Sequence, residues 1–272
     1  MLPAAVTNTT CSQVETALAL RSAGRLQEAL DVLTSPGEYT SDFYTIRGEI
    51  QFALGRFQEA AGSFFTVVAS EPDNTFAQYH LAVCLHHLGR WAEAAQAFQR
   101  VLDSDPHRDS ARLGLGACLL QLHRAEEALA NFDSCWSDAA RWRALFGKAV
   151  ALQLLGRSSE AESAYQRVLI SDPKSEEALS NLIALSLEAH DLEAAARFSK
   201  RLLDVSPNSV TALRGLAAVA LERKEYEDAV RYCGRIVEDA PDCVEAWRNL
   251  RFATGRVIAQ RRPEPASTTG RK

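Results

Sequence analysis

The segment GRFQEA at residues 55–60 decides how this chain folds, because it keeps returning. It reads GRLQEA from Gly24, GRWAEA from Gly89 and GRSSEA from Gly156, with looser copies HRAEEA from His123, HDLEAA from His190 and KEYEDA from Lys224. The closing alanines, Ala29, Ala60, Ala94, Ala128, Ala161, Ala195 and Ala229, lie 31, 34, 34, 33, 34 and 34 residues apart. An unrelated marker keeps the same step: Pro72, Pro106, Pro173, Pro207 and Pro241 recur at 34 residues, with one interval of 67. Two residue types sharing one period define a repeated supersecondary unit.

Each unit has a physical logic. Glycine ends a helix cheaply because it adopts the left-handed backbone conformation. The stretch after it starts a second helix, whose small alanine lets the two helices approach closely. Proline then stops that second helix. Between these signals, apolar residues recur at spacings of three and four, the helical period. In the unit from Thr75, Leu81, Ala82 and Leu85 mark the first helix, and Ala94, Phe98 and Val101 the second. The spacing predicts one array over 10–262, with units at 10–40, 41–74, 75–108, 109–141, 142–175, 176–209 and 210–243 and a capping helix at 244–262. Residues 1–9 and 263–272 read as disordered ends. The first unit is shortened, with Pro36-Gly37 where its second helix should finish, and the 109–141 unit lacks its proline.

The pattern resembles the tetratricopeptide repeat. From Ser41 the match is Tyr44, Gly48, Ala60, Phe64 and Pro72; from Thr75 it is Leu81, Ala82, Leu85, Ala94, Phe98 and Pro106. From Asp109 it is Leu115, Gly116, Leu119, Ala128 and Phe132; from Trp142 it is Leu145, Ala149, Leu152, Ala161, Tyr165 and Pro173. Later units depart: Ser199 and Cys233 stand at the aromatic place, and Ile183 at the small one. The resemblance implies an all-α, right-handed superhelical solenoid of helix-turn-helix pairs. It also implies that the first helix of each pair lines a concave groove.

On those first helices a second stripe is expected to face the groove. Its candidate partner-binding residues are Phe76, Tyr79, His80, Val83, His86 and His87, then Leu113, then Arg143, Phe146 and Val150. The stripe is apolar and aromatic in its middle, with charged neighbours at both ends, as interaction surfaces are. An extended or helical peptide is the expected occupant. The competing reading is that these side chains pack between adjacent helices. Gly114, Gly147 and Gly215 share one place on the first helices, where a close ligand backbone and tight packing are alternative reasons.

Several functions are disfavoured. The net charge of −5 argues against a dedicated nucleic-acid binder. No stretch of apolar residues is long enough for a membrane span, and residues 1–10 lack the basic start and apolar run of a secretory signal, so the cytoplasm is the expected location. The lysine and arginine clamp by which relatives grip chaperone C-terminal tails is missing: the matching places hold Thr45, Glu49, Tyr79, His80, Val83, Ser110 and Gly114. His80, His86 and His87 lack the i, i+4 spacing and the further ligands of a zinc site. No catalytic or cofactor motif is present. Six scattered cysteines, with Cys84 and Cys118 in equivalent places, read as buried thiols rather than disulfides. The arginines from Arg248 to Arg262 give the last helix a basic face, read here as a soluble cap. The chain is therefore expected to be a non-catalytic interaction module or scaffold without cofactors, binding a protein or peptide. A self-assembling subunit and a regulatory subunit of an enzyme complex are the alternatives.

Overall fold

A computed structural model of the chain describes residues 4–33 and 40–261. Among these residues there are fifteen α-helices and no strand. They pair as α1 (Ala4–Ser22) with α2 (Leu26–Val32), α3 (Ser41–Ala53) with α4 (Phe57–Ser70), α5 (Thr75–His87) with α6 (Trp91–Ser104), and α7 (Asp109–Gln121) with α8 (Ala125–Asp133). Next come α9 (Asp138–Leu154) and α10 (Ser158–Ser171), then the pairs α11 (Glu176–Glu188) with α12 (Leu192–Val205) and α13 (Val210–Glu222) with α14 (Tyr226–Asp239). The last helix is α15 (Val244–Gln260).

The chain divides into two compact units, Met1–Arg157 with α1–α9 and Ser158–Lys272 with α10–α15. The division falls inside the expected 142–175 repeat, where the sequence reading has one unbroken array. A repeat contacts only its neighbours, so no central core ties the whole length together. In the first unit α1 touches α3, α5 touches α7 and α7 touches α9; in the second, α11 touches α13.

The seven first helices before α15 close in the same way. At Gly55 the amide of Gly55 donates to the carbonyl of Phe52, and that of Arg56 donates to the carbonyl of Gln51, the paired bonds of a Schellman turn. The same pair recurs at Gly24, Gly89, His123, Gly156, His190 and Lys224, at 2.8–3.1 Å. The turn needs a left-handed residue, so the looser copies carry a cost. His123, His190 and Lys224 sit at φ of 58, 55 and 61°, where Gly24, Gly55, Gly89 and Gly156 sit at 71–77°.

Two boundaries differ from the sequence reading. α1 begins at Ala4, inside the stretch taken as a disordered end, because nothing between Pro3 and Gly24 breaks a helix. α9 begins at Asp138, ahead of the expected Trp142. In this proline-less unit α8 stops at Asp133, and the turn is built from side chains instead. The Asp109 carboxylate accepts the amides of Trp136 (3.2 Å) and Ser137 (2.6 Å), and the Ser137 hydroxyl caps α9 by accepting from Ala140. Burial works to raise the Asp109 pKa, but the Ser137 hydroxyl, the two amides and Arg112 outweigh it and hold the carboxyl below its ordinary range. Pro36-Gly37 and residues 263–272 lie outside the described residues.

The core of three successive hairpins in the first unit is a ring lodged in a notch. Phe64, Phe98 and Phe132 are almost fully buried. A Cβ built on Gly116 or Gly147 would come closer than 3.0 Å to the Phe132 ring, one on Gly114 likewise to Phe98, and one on Gly48 to Phe64. Phe132 thus lies between Gly116 of its own pair and Gly147 of the next first helix. Burying a phenylalanine stabilises by about 1.5–3 kcal/mol, whereas a helical glycine costs about 0.5–1 kcal/mol, so the notch is favourable. This decides the alternatives for Gly114 and Gly147: they make room for a neighbouring ring. Gly215 does the same for Ser199 and Ile183.

The departure at Ser199 and Ile183 is a compensated exchange. Where other hairpins set a ring against a small residue, here a small residue faces a large one. Both are buried, and Ser199 Oγ has no hydrogen-bond partner among the described residues.

Two tests follow from this packing. Replacing His123, His190 and Lys224 with glycine should stabilise by about 0.5–1 kcal/mol per site and raise the Tm by a few degrees in circular dichroism. An unchanged Tm would mean that the native side chains repay the backbone strain. Ser199→Phe alone should overpack and Ile183→Ala alone should leave a cavity, each costing about 1–4 kcal/mol. The double variant should recover at least half of the summed loss in denaturant titrations, and additive losses would refute the exchange.

Candidate partner-binding groove

All ten candidate residues lie in the first unit, on α5, α7 and α9. The notch chemistry settles which side of these helices is already used. In α5, Ala77, Gln78, Ala82, Cys84 and Leu85 are buried. Phe76, one residue before this set, is 38% exposed, and His87 is exposed too. Tyr79, His80, Val83 and His86 are half-buried, as are Leu113 on α7 and Phe146 and Val150 on α9, while Arg143 is exposed.

The candidates separate by what they touch. His80 stands where α7 has Gly114, and its ring takes up the role that the glycine leaves open. It stacks on Phe64 at 5.3 Å and meets Phe52 edge-on at 5.9 Å. His87 stacks on Phe57 at 4.2 Å, and His86 meets Trp91 at 4.9 Å. These histidines serve aromatic packing between neighbouring helices, the competing reading given above. Tyr79, Val83 and Leu113 pack with their inner edges on the cluster around Phe98 and Leu115. Tyr79 also carries the Arg108 guanidinium over its ring at 4.4 Å. Phe76 leans on His80 at 4.3 Å. Arg143 lies over the exposed Trp142 ring at 5.2 Å.

Electrostatically the middle of this surface is neutral. Burial lowers the His80 pKa, with Glu49 opposing and Arg108 assisting; burial and the neighbouring His87 lower that of His86. Both rings are therefore uncharged at neutral pH. Among the described residues no three His, Cys, Asp or Glu side chains converge as a metal site. Cys84 and Cys118 are fully buried free thiols, each pushed up to about 12 by burial. No described helix is long and apolar enough to cross a membrane.

The sequence reading missed Arg108, Trp91 and Phe57. A signal was present: the residue after Gly-Arg is aromatic in both copies concerned, and it pairs back onto the end of the first helix, as Phe52–Phe57 and His86–Trp91 show.

The depressed histidines predict a pH response. The unfolded chain takes up protons near pH 6.5 while folded His80 and His86 resist, so their contribution is present above that pH and is lost as pH falls below it. Lowering the pH from 7.5 to 5.5 should depress the Tm less in His80→Gln than in the parent chain; equal slopes would contradict the assignment to His80.

Two tetratricopeptide-repeat models match the chain, one over residues 47–109 and another over 88–134 and 186–251. A coatomer epsilon subunit model matches 137–214. No match was found among curated proteins. Among solved structures, PilW, a widely conserved type IV pilus biogenesis factor, is 19% identical, with 80% of this chain and 100% of that one covered at a TM-score of 0.67. A tetratricopeptide repeat protein from Parabacteroides merdae is 18% identical, covering 91% and 99%, with a TM-score of 0.65. YrrB, described as a protein with an unusual peptide-binding site, is 16% identical, covering 70% and 99%, with a TM-score of 0.56.

Proposed function

The chain belongs to the tetratricopeptide-repeat family, and from that premise we propose that it is a non-catalytic scaffold holding a protein segment against α5, α7 and α9. The observation that carries this reading is Phe76, a ring left 38% exposed beside Tyr79, Val83 and Leu113 on a helix whose other side is fully employed. Leaving apolar surface in water is unfavourable by about 25 cal/mol per Å², and a partner that covers it recovers that free energy.

The bound segment presents apolar side chains to Phe76, Tyr79, Val83, Leu113, Phe146 and Val150. It presents carboxylates to Arg108 and Arg143, which border the strip over Tyr79 and Trp142. His80 and His87 hold the aromatic neighbours of this surface in place through ring stacking on Phe64 and Phe57. The free, buried Cys84 and Cys118 thiols suit a reducing compartment such as the cytoplasm. The likeness to YrrB, a protein with an unusual peptide-binding site, supports the same mode of use.

Phe76→Ala combined with Phe146→Ala should keep the helical spectrum and lose at least tenfold in partner affinity, the size of a single interface hot spot. Quantitative pull-down with mass spectrometry, comparing parent and variant, is the measurement. Partners recovered equally by both would overturn the assignment of the groove, and concentration-dependent mass in light scattering would favour self-assembly instead.

A further inference from the structure

α15 is the last helix among the described residues, and one side of it is anchored. Ala246 is buried against Leu213 and Ile236, and Ala253 against Ala220 and Ala229. Its other side forms an open depression of about 850 Å³. Val244, Trp247 and Phe252 line it, at 80%, 51% and 50% exposure, together with Arg248, Arg251 and Arg256. These positions recur at three and four residues, so they make one continuous stripe. No carboxylate lines it, and among the described residues neither Arg248 nor Arg251 forms an ion pair.

The neighbouring hairpin shows what such a side of a first helix receives. At the places of Trp247 and Arg251, α13 carries Leu213 and Ala217, both buried, Leu213 against Ile236 of α14. The occupant there is a helix. An ordinary second helix does not suit α15, however. The place that is Gly48, Ala82, Gly116, Ile183 and Ala217 in other first helices, always uncharged and, where Ile183 and Ala217 stand, buried, is the exposed, charged Arg251.

The geometry points to a docking site on α15 for an acidic amphipathic helix of a partner protein. Leucine-like side chains of that helix cover Trp247 and Phe252, and its carboxylates meet Arg248, Arg251 and Arg256. The outer arginines are eight residues apart, about 12 Å along the axis, so two turns of the partner span them. A second copy of this chain is the wrong occupant, since pairing this face with itself would set arginines against arginines. An anionic membrane surface would satisfy the charge, but the equivalent side of α13 packs against a helix, Leu213 against Ile236.

The test uses the full chain and a fluorescent synthetic helix with a leucine stripe bordered by glutamates, read by anisotropy. A lysine-bordered twin and phosphatidylserine vesicles are run in parallel. The acidic helix should bind in a salt-dependent manner and weaken about tenfold with Arg251→Glu, while the lysine-bordered helix gains on that variant. Arg251 is exposed, so an unchanged melting curve verifies that the variant is folded. The proposal is overturned if the acidic helix does not bind, if both helices bind equally, if Arg251→Glu changes nothing, or if only the vesicles bind.

Discussion

The contact on which the first unit depends is an aromatic ring of a second helix set against small residues of first helices. Phe132 between Gly116 and Gly147 is its fullest form, with Phe64 at Gly48 and Phe98 at Gly114 as variants. The contact does two things at once. It closes a hairpin, and it joins that hairpin to the next, so no separate core is needed to propagate the stack. Because the ring fills the notch completely, the residues around it vary only in compensating ways. His80 takes a glycine's place by stacking on Phe64 rather than yielding to it. In the second unit Ile183 and Ser199 exchange their sizes.

That economy leaves surface unspent. The rings of Phe64, Phe98 and Phe132 consume one side of first helices in the first unit, and the turn chemistry of Gly-Arg-x-x-Glu-Ala and its looser copies consumes the loops. At Arg25, Arg90 and Arg124, which follow Gly24, Gly89 and His123, the arginine grips the glutamate three residues on through exposed side chains. Among the surface left over are a strip on α5, α7 and α9 and the outer side of α15. The two differ in character: the first is apolar and aromatic with arginines only at its border, and the second interleaves arginine with tryptophan and phenylalanine. Neither offers groups poised for chemistry. The buried thiols are raised far from reactivity, and His80 and His86, with pKa values lowered by burial, rest against neighbouring rings.

Much of this was legible in the chain order. The repeat, the helix pairs and the left-handed turn at each Gly-Arg follow from rules that act over a few residues, so Gly55, Ala60 and Pro72 announce themselves without knowledge of the rest. Even the departures at Ser199 and Ile183 were visible as departures. The membership of Phe76 and Tyr79 in one stripe was also readable, since helical spacing places them together.

What needed the tertiary structure is everything decided between hairpins. The sequence left Gly114 open between a ligand's approach and tight packing, because the Phe98 ring that settles the matter belongs to a different helix. It left His80, His86 and His87 open between groove contact and packing between helices, and their rings meet Phe64, Trp91 and Phe57. It placed the start of α9 by periodicity at Trp142, while an ion–amide contact from Asp109, 28 residues before Ser137, holds the turn earlier. Local backbone preference is written along the chain and can be read there. Which side chain fills which space is set by packing between residues a full repeat apart, and only the folded chain brings those together.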